Sequence, residues 1–218
     1  MDPRGRSGIE NMRTDEALLE EVLRSGTAFL RLYRWDPPTL SIGRNQSTEG
    51  LLCDGVPWVR RPTGGQAVWH EDEVTYAVAA PIAEYGSLRN AYCEIHVRLA
   101  AALRSLGVDA VLADRPAVRP SGRPAACFAV PVGGEILVGG RKLVGSAQVR
   151  KRDAFLQHGS ILLDGSQQVV PDAGSETTLT NVLGRPVTFD EVTRAVISSW
   201  PSGRQAARPP VIASLAPQ

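Results

Sequence analysis

An α+β domain is the fold class this sequence predicts, and three observations carry the prediction. Short apolar runs recur along the chain, each bounded by glycine or proline, as antiparallel strands are. Three longer segments carry helix signals: caps, glycine stops and, in one, a continuous apolar face. No internal repeat or linker divides the 218 residues, so they form one domain with strands in antiparallel sheets and helices packed on them.

The elements follow in order. MDPRGRSGIE, residues 1–10, reads as disordered and lacks the apolar run of a signal peptide. TDEALLEEVLRSG is the first helix: Thr14 caps it, Asp15, Glu16 and Glu20 suit its N-terminal half, and Gly26 ends it. AFLRLYRW (28–35) is a strand broken by Pro37-Pro38, and TLSIG (39–43) is a short second one. VPWVRR (56–61) and VTYAVAAP (74–81) are two more. The clearest helix spans 87–107, where Leu88, Tyr92, Ile95, Leu99, Leu103 and Leu106 share one face between a Ser87 cap and a Gly107 stop. Val108–Ala113 fits a strand, and RPAVRPSGRPAA (115–126) is an irregular loop. EILVGGRKLVGSAQV predicts a hairpin turning at Gly139-Gly140, and AFLQHGSILLDG adds one or two strands. TFDEVTRAVISSW (188–200) is a helix with the capping-box pair Thr188 and Glu191, stopped by Pro201. The domain therefore spans 11–200, and 201–218 is a loose tail.

Composition narrows the function. Lysines and arginines number 24 against 23 acids, a balance that suggests neither nucleic acid nor an anionic membrane as partner. No apolar run approaches the roughly 18 residues that span a bilayer. Three cysteines, Cys53, Cys93 and Cys127, form no disulfide framework and no metal-ligand spacing. A reducing, cytoplasmic setting fits, in which a free thiol persists.

Three segments could carry chemistry. In RRPTGGQAVWH, residues 60–70, paired glycines let backbone N–H groups approach a ligand, and flanking arginines supply fixed charge. An ordinary hairpin turn with solvated arginines explains the same residues. In Gly140-Arg141-Lys142-Leu143-Val144-Gly145-Ser146-Ala147-Gln148, the lysine is either an exposed residue after a turn or a desolvated cation acting on substrate. Cys127, ahead of Phe128, is by type more often a buried structural thiol than a nucleophile. A neighbouring lysine or arginine would favour the reactive thiolate. Cys53, Cys93 and His96 read as structural. His158, in Gln157-His158-Gly159-Ser160, is either a core histidine or a pocket residue.

Taken together, these segments resemble the lipoate–protein ligase and octanoyltransferase family, a branch of the biotin/lipoate ligase fold. RRPTGGQAVWHEDEVTY is similar to one signature of the family, and GRKLVGSAQVRKRDAFLQHGSILL to the other. NMRTDEALLE and LYRWDPPTLSIGRNQ match its opening helix and first strands, so the resemblance covers about residues 10–185. It implies a single biotin/lipoate ligase-type catalytic domain.

Cys-Phe some fifteen residues before the signature lysine resembles the cysteine-dependent octanoyltransferases. The resemblance implies that Cys127 takes octanoate from acyl carrier protein as a thioester, with Lys142 stabilising thiolate and oxyanion. A lysine of a lipoyl domain, in glycine-cleavage H protein or a 2-oxo-acid dehydrogenase E2, then receives it. Arg60, Arg61, Thr63, Gly64, Gly65, Gln66, His70, Gly145, Ser146, Ala147, His158 and Gly159 are implied to bind substrate. Val68, Val144 and Ala147 would wall the acyl chain, whose six buried methylenes supply roughly 5 kcal/mol at about 0.8 kcal/mol each. No cofactor or metal is implied, and the enzyme is expected to be monomeric. Gln66 stands where these transferases usually carry arginine. Two alternatives remain: an ATP-dependent lipoate ligase that tolerates loss of Cys127, and a non-catalytic relative that binds acyl groups or lipoyl domains. A biotin ligase is disfavoured because no Gly-Arg-Gly-Arg-type segment is present.

Overall fold

The computed structural model describes residues 4–51, 55–114, 126–129, 133–200 and 211–212. The first helix, α1 (Gly8–Ser25), starts earlier than its sequence signals. Its N-cap is Ser7 rather than Thr14, and Ser7 and Glu10 complete a capping box, the Glu10 carboxylate accepting from the Ser7 N–H at 3.0 Å. Residues 7–10, expected to be disordered, are thus ordered. Their order is tertiary: a Cβ on Gly8 would meet Thr39 Cγ2 at 2.7 Å, so the helix start is pressed against the strand that contains Thr39. Gly26 ends α1 in the left-handed conformation, as predicted.

The strands β1 (Phe29–Tyr33), β2 (Thr39–Ile42), β3 (Trp58–Arg60), β4 (Val68–His70) and β5 (Glu73–Pro81) precede α2 (Leu88–Ser105). After α2 come β6 (Val111–Leu112), β7 (Ile136–Val138), β8 (Arg141–Lys151), β9 (Ala154–Leu162), α3 (Leu179–Leu183), α4 (Phe189–Ser199) and β10 (Val211–Ile212). The hairpin turns at Gly139-Gly140 as expected, both at positive φ. Three short elements went unpredicted: β4, α3 and β10. Of the supposedly loose tail, residues 211–212 form an edge strand parallel to β1; the rest lies outside the described residues, as do Cys53 and residues 115–125 of the irregular loop. At α4 only half of the predicted capping box forms. Thr188 accepts from the Glu191 N–H at 3.2 Å, while the Glu191 carboxylate pairs with Arg185 at 2.5 Å.

A seven-stranded sheet runs β10-β1-β5-β9-β8-β7-β6, and a three-stranded sheet runs β3-β2-β4. Pairing is antiparallel except for β1 with β10 and β2 with β3. Each face of the large sheet has its own core. On one, Tyr76, Val78 and Ala80 of β5 join Ile95 and Leu99 of α2 and Val192 and Val196 of α4. On the other, Ala77 and Ala79 join Leu18, Leu19 and Val22 of α1. Burial on both faces is why β5 reads as the unbroken run AVAA. The small sheet shares the second face with α1, and the gap between the two sheets holds the candidate site. Among the described residues no helix is long and apolar enough to cross a membrane.

Candidate active site

Ala126 bridges to Ala67, and the Cys127 N–H donates to the Ala67 carbonyl at 2.9 Å. This pairing lays Cys127 beside the start of β4, facing β8. Lys142, the second residue of β8, is 1% exposed. Its Nζ donates to the Cys127 carbonyl at 2.7 Å, stands 3.6 Å from Cys127 Sγ and pairs with Glu135 Oε1 at 2.7 Å. Burial alone would lower the Lys142 pKa; the charges of Cys127 and Glu135 outweigh it and hold the pKa above the ordinary lysine value. Lys142 is therefore a buried ammonium with three directed partners. Gly145 keeps this corner open, since a Cβ there would stand 3.1 Å from both Lys142 Cε and Phe128 Cζ.

The glycine loop is wrapped around Arg61. This buried guanidinium donates to the Ser41 carbonyl and hydroxyl at 3.1 and 3.0 Å, to the Gly64 carbonyl at 2.8 Å and to the Gln66 carbonyl at 2.6 Å. Gln66 thus anchors the loop through its backbone. Gly43 must be glycine because a Cβ would strike the Gly65 carbonyl oxygen at 2.0 Å. Gly65 itself has φ +86°.

Two buried histidine networks flank the loop. Thr63 Oγ1 lies 2.7 Å from His158 Nε2, and His158 Nδ1 lies 2.9 Å from Asp15 Oδ2. Asp15 also binds Arg31 Nη1 at 2.7 Å and accepts from the Tyr33 hydroxyl at 2.9 Å. Burial would raise the Asp15 pKa, but His158 and Arg31 hold it below the usual carboxylate value, so Asp15 is ionised. An ionised acceptor makes His158 Nδ1 the donor. Burial lowers the His158 pKa, which leaves the ring neutral and its Nε2 accepting from Thr63. In the second network His70 Nε2 meets Ser41 Oγ at 2.7 Å and Nδ1 meets Glu73 Oε1 at 2.8 Å.

A third network lies on the α2 side. The Tyr92 carbonyl accepts from His96 Nδ1 at 2.8 Å, so His96 Nε2 accepts from the Ser146 hydroxyl at 2.8 Å, and Ser146 in turn accepts from Tyr76 at 2.6 Å. Burial pushes the His96 pKa down to about 4. His96, expected to be structural, therefore holds Ser146, one of the predicted site residues.

These groups border two openings. A narrow slot between the sheets is lined by Gly145, Ser146, Ala147, His158 and Gly159 on one side and by Cys127, Arg61, Val68 and His70 on the other. An outer groove of about 690 Å³ runs past Gly64, Gly65, Ser146 and Ala147 to Tyr92, Cys93 and Glu135. Most of the predicted site residues converge here. Three predictions need correcting. Val144, expected in the acyl wall, points to the opposite face and joins the main core, because strand alternation turns it away from the slot that Gly145 and Ala147 face. Arg60 borders neither opening; its guanidinium donates to the carbonyls of Gly43, Arg44 and Gln46 at 2.9, 3.2 and 2.9 Å and holds that turn. Cys93 is exposed at the groove. Residues that went unpredicted are Glu135, Asp15, Ser41, Glu73 and Trp35. Asp15, Ser41 and Trp35 reach the site through long-range contacts, which leave no local signal in the sequence, whereas Glu73 and Glu135 meet His70 and Lys142 three and seven residues away.

Known proteins share this arrangement of chain. Octanoyltransferase LipM of Carboxydothermus hydrogenoformans is 42% identical over 167 residues, 72% of this chain and 61% of that protein. Octanoyltransferase LipM of Symbiobacterium thermophilum is 38% identical over 231 residues, 92% of this chain and 84% of that one. Against several such relatives the chain spans about three fifths of their length. Among solved structures, lipoate-protein ligase A bound with ATP superposes with a TM-score of 0.68 at 24% identity, covering 91% of this chain and 81% of that one. A bipartite lipoate protein ligase from Thermoplasma acidophilum gives 0.64 at 20% identity, over 91% and 80%. At such identities they share the fold. The lipoyl protein ligase A/B catalytic domain model matches residues 7–200, and the chain belongs to that family.

Proposed function

We propose that this protein is an octanoyltransferase of lipoate biosynthesis, moving an octanoyl group from acyl carrier protein to a lysine of a lipoyl domain through a thioester on Cys127. The observation that carries this reading is the Lys142 ammonium 3.6 Å from Cys127 Sγ at the mouth of the slot. A cation there is placed to stabilise negative charge developing at the reacting centre. The thiolate attacks the carrier's thioester carbonyl, the carrier sulfur leaves as thiolate, and the octanoyl group is held on Cys127. Two Lys142 protons stay on the Cys127 carbonyl and Glu135; the third, aimed at sulfur, turns to the carbonyl oxygen as the sulfur is acylated. The acceptor lysine amine, arriving along the outer groove, attacks the carbonyl carbon; the C–S bond breaks, an amide forms, and the amine's surplus proton leaves with the thiolate or to solvent. Thioester to amide is downhill, so no ATP is consumed. The LipM relatives support the acyl group, and the T. acidophilum ligase, described with its E2 lipoyl domain, supports a lipoyl domain as acceptor.

Intact-protein mass after mixing with octanoyl carrier protein, without ATP, tests the reading. One octanoyl group on the wild type and none on Cys127→Ala is the expected result. Transfer that persists in Cys127→Ala and depends on ATP would instead establish the ligase alternative.

A further inference from the structure

Aminolysis of a Cys127 thioester needs an amine held with its lone pair toward the acyl carbon. The slot holds the carbon, and the outer groove admits the amine. Among the described residues, Ser146 and Ala147 alone border both openings. Ser146 therefore supplies the polar side chain at their junction. It follows Gly145, which is packed against Lys142 and Phe128, so it stands one residue from the Cys127–Lys142 corner.

A chain of hydrogen bonds, anchored at both ends on backbone carbonyls of α2, fixes the direction of this hydroxyl. At one end Gln148 Nε2 donates to the Leu88 carbonyl at 3.2 Å and to Gln157 Oε1 at 2.7 Å. Gln157 Nε2 then donates to the Tyr76 hydroxyl at 2.9 Å. At the other end the Tyr92 carbonyl takes the Nδ1 proton of His96, so Nε2 of the neutral ring only accepts. Ser146 spends its single proton on that nitrogen, and Tyr76 spends its own on Ser146. A hydroxyl oxygen has two lone pairs, and Tyr76 occupies one of them. What Ser146 offers at the junction is the other lone pair; it has no proton left to give.

This arrangement excludes two other roles. A donor to the thioester's developing oxyanion needs a free proton, which Ser146 lacks. A general base would pass the amine's proton through Ser146 to His96. Burial, with the Lys142 charge adding to it, holds the His96 pKa down at about 4, and so weak a base does not take that proton.

We infer that Ser146 Oγ accepts an N–H of the acceptor lysine's amine during attack on the Cys127 thioester, with His96 as the positioning residue that orients it. The inference rests on the acyl-transfer reading above and adds which residue presents the nucleophile. The neutral amine's lone pair forms the C–N bond, and the carbonyl π pair moves to oxygen. As the carbonyl re-forms, the C–S bond breaks and its electrons leave on the Cys127 sulfur. One amine proton bonds Ser146 throughout and remains as the amide N–H; the other goes to the departing sulfur. The Lys142 ammonium nearby favours the neutral amine over a second cation.

Measuring the two half-reactions separately tests this. Enzyme is mixed with octanoyl carrier protein, and acyl-enzyme on Cys127 is followed by mass against time. Isolated acyl-enzyme is then mixed with a lipoyl domain, and movement of the octanoyl group to the domain is followed. Ser146→Ala is expected to slow the second half-reaction at least about tenfold more than the first. His96→Phe, which offers Ser146 no acceptor, does the same. His96→Gln, whose side-chain oxygen can accept in place of the ring nitrogen, recovers most of the loss. Damage to the fold alone slows both halves alike and is not rescued in this way, and the His96 pair carries the test if Ser146→Ala fails to fold. Equal slowing of both halves in Ser146→Ala, or transfer at the wild-type rate, overturns the amine contact and leaves octanoyl transfer standing. His96→Gln as slow as His96→Phe overturns the positioning role. No acyl-enzyme in the wild type overturns the transfer reading, and this inference with it.

Discussion

The Lys142 ammonium lies 3.6 Å from the sulfur of Cys127, fifteen residues earlier in the chain, and both residues are held by contacts outside their own segments. Glu135 fixes the lysine from β7's side, and Ala67 fixes the cysteine from the small sheet.

Lys142→Met removes the cation and breaks its buried ion pair with Glu135. Stability should fall by roughly 3–5 kcal/mol, and acyl-enzyme formation by at least about a hundredfold. Adding Glu135→Gln should recover much of the stability and none of the rate. Urea unfolding and acylation kinetics measure the two separately; a double variant that regained its rate would reduce Lys142 to a structural role.

Acid should destabilise the fold through its buried neutral histidines. His96 titrates at about 4 in the folded protein because its burial disfavours the charged ring; unfolded, it titrates near 6.5. Between those values the unfolded chain binds more protons, so stability falls as pH drops from about 6.5 to about 4. That share is roughly 3 kcal/mol when fully expressed. His158, lowered by burial, acts in the same direction. His96→Gln should flatten the pH dependence of the urea midpoint between pH 7 and 4; an unaltered slope would refute the neutral buried ring.

Asp15→Asn should cost roughly 3–5 kcal/mol by stranding the buried Arg31 guanidinium. Because the Asp15 pKa is depressed, the stability it contributes is present above the unfolded carboxyl value near 4 and lost as pH falls through the lower folded value. Thermal unfolding of wild type and variant should therefore converge toward strong acid. A gap that stays constant down to pH 2 would contradict the ionised Asp15.

Gly159 and Gly64 should answer oppositely to alanine. A Cβ on Gly159 would meet the Gly145 carbonyl oxygen at 2.2 Å and Ser146 Oγ at 2.5 Å, forcing β8 and β9 apart. Gly159→Ala should lose roughly 1–3 kcal/mol or more. Gly64 has open space at that position, and Gly64→Ala should stay within about 0.5 kcal/mol of wild type. Denaturant midpoints compare the two; a stable Gly159→Ala would mean that the close strand approach is not required.

Much of the fold was legible because its signals are local. Ser87 and Gly107 bracket α2, Gly139-Gly140 turns the hairpin, and the AVAA run marks the doubly buried β5. The misses share one cause. Nothing local in Ser7-Gly8 announces a helix start; the packing of Gly8 against Thr39 does. β10 exists only as a partner of β1. Val144 was misplaced because a strand's period says which residues share a face but not which face meets the slot.

The sequence by itself determined the helices and hairpin, the family signatures, and the residue types available for chemistry: a thiol, a lysine after a glycine turn, a glycine-rich loop and two histidines. Only the tertiary structure decided what those residues are. It desolvated Lys142 and gave it both Glu135 and Cys127, kept His158 neutral by burying it while Asp15, 143 residues away, fixes its Nδ1–H, and brought Met12, Tyr33 and Trp35 to the lining of the slot. Charge state and reach depend on burial and on partners brought from distant segments, and no short stretch of sequence contains either.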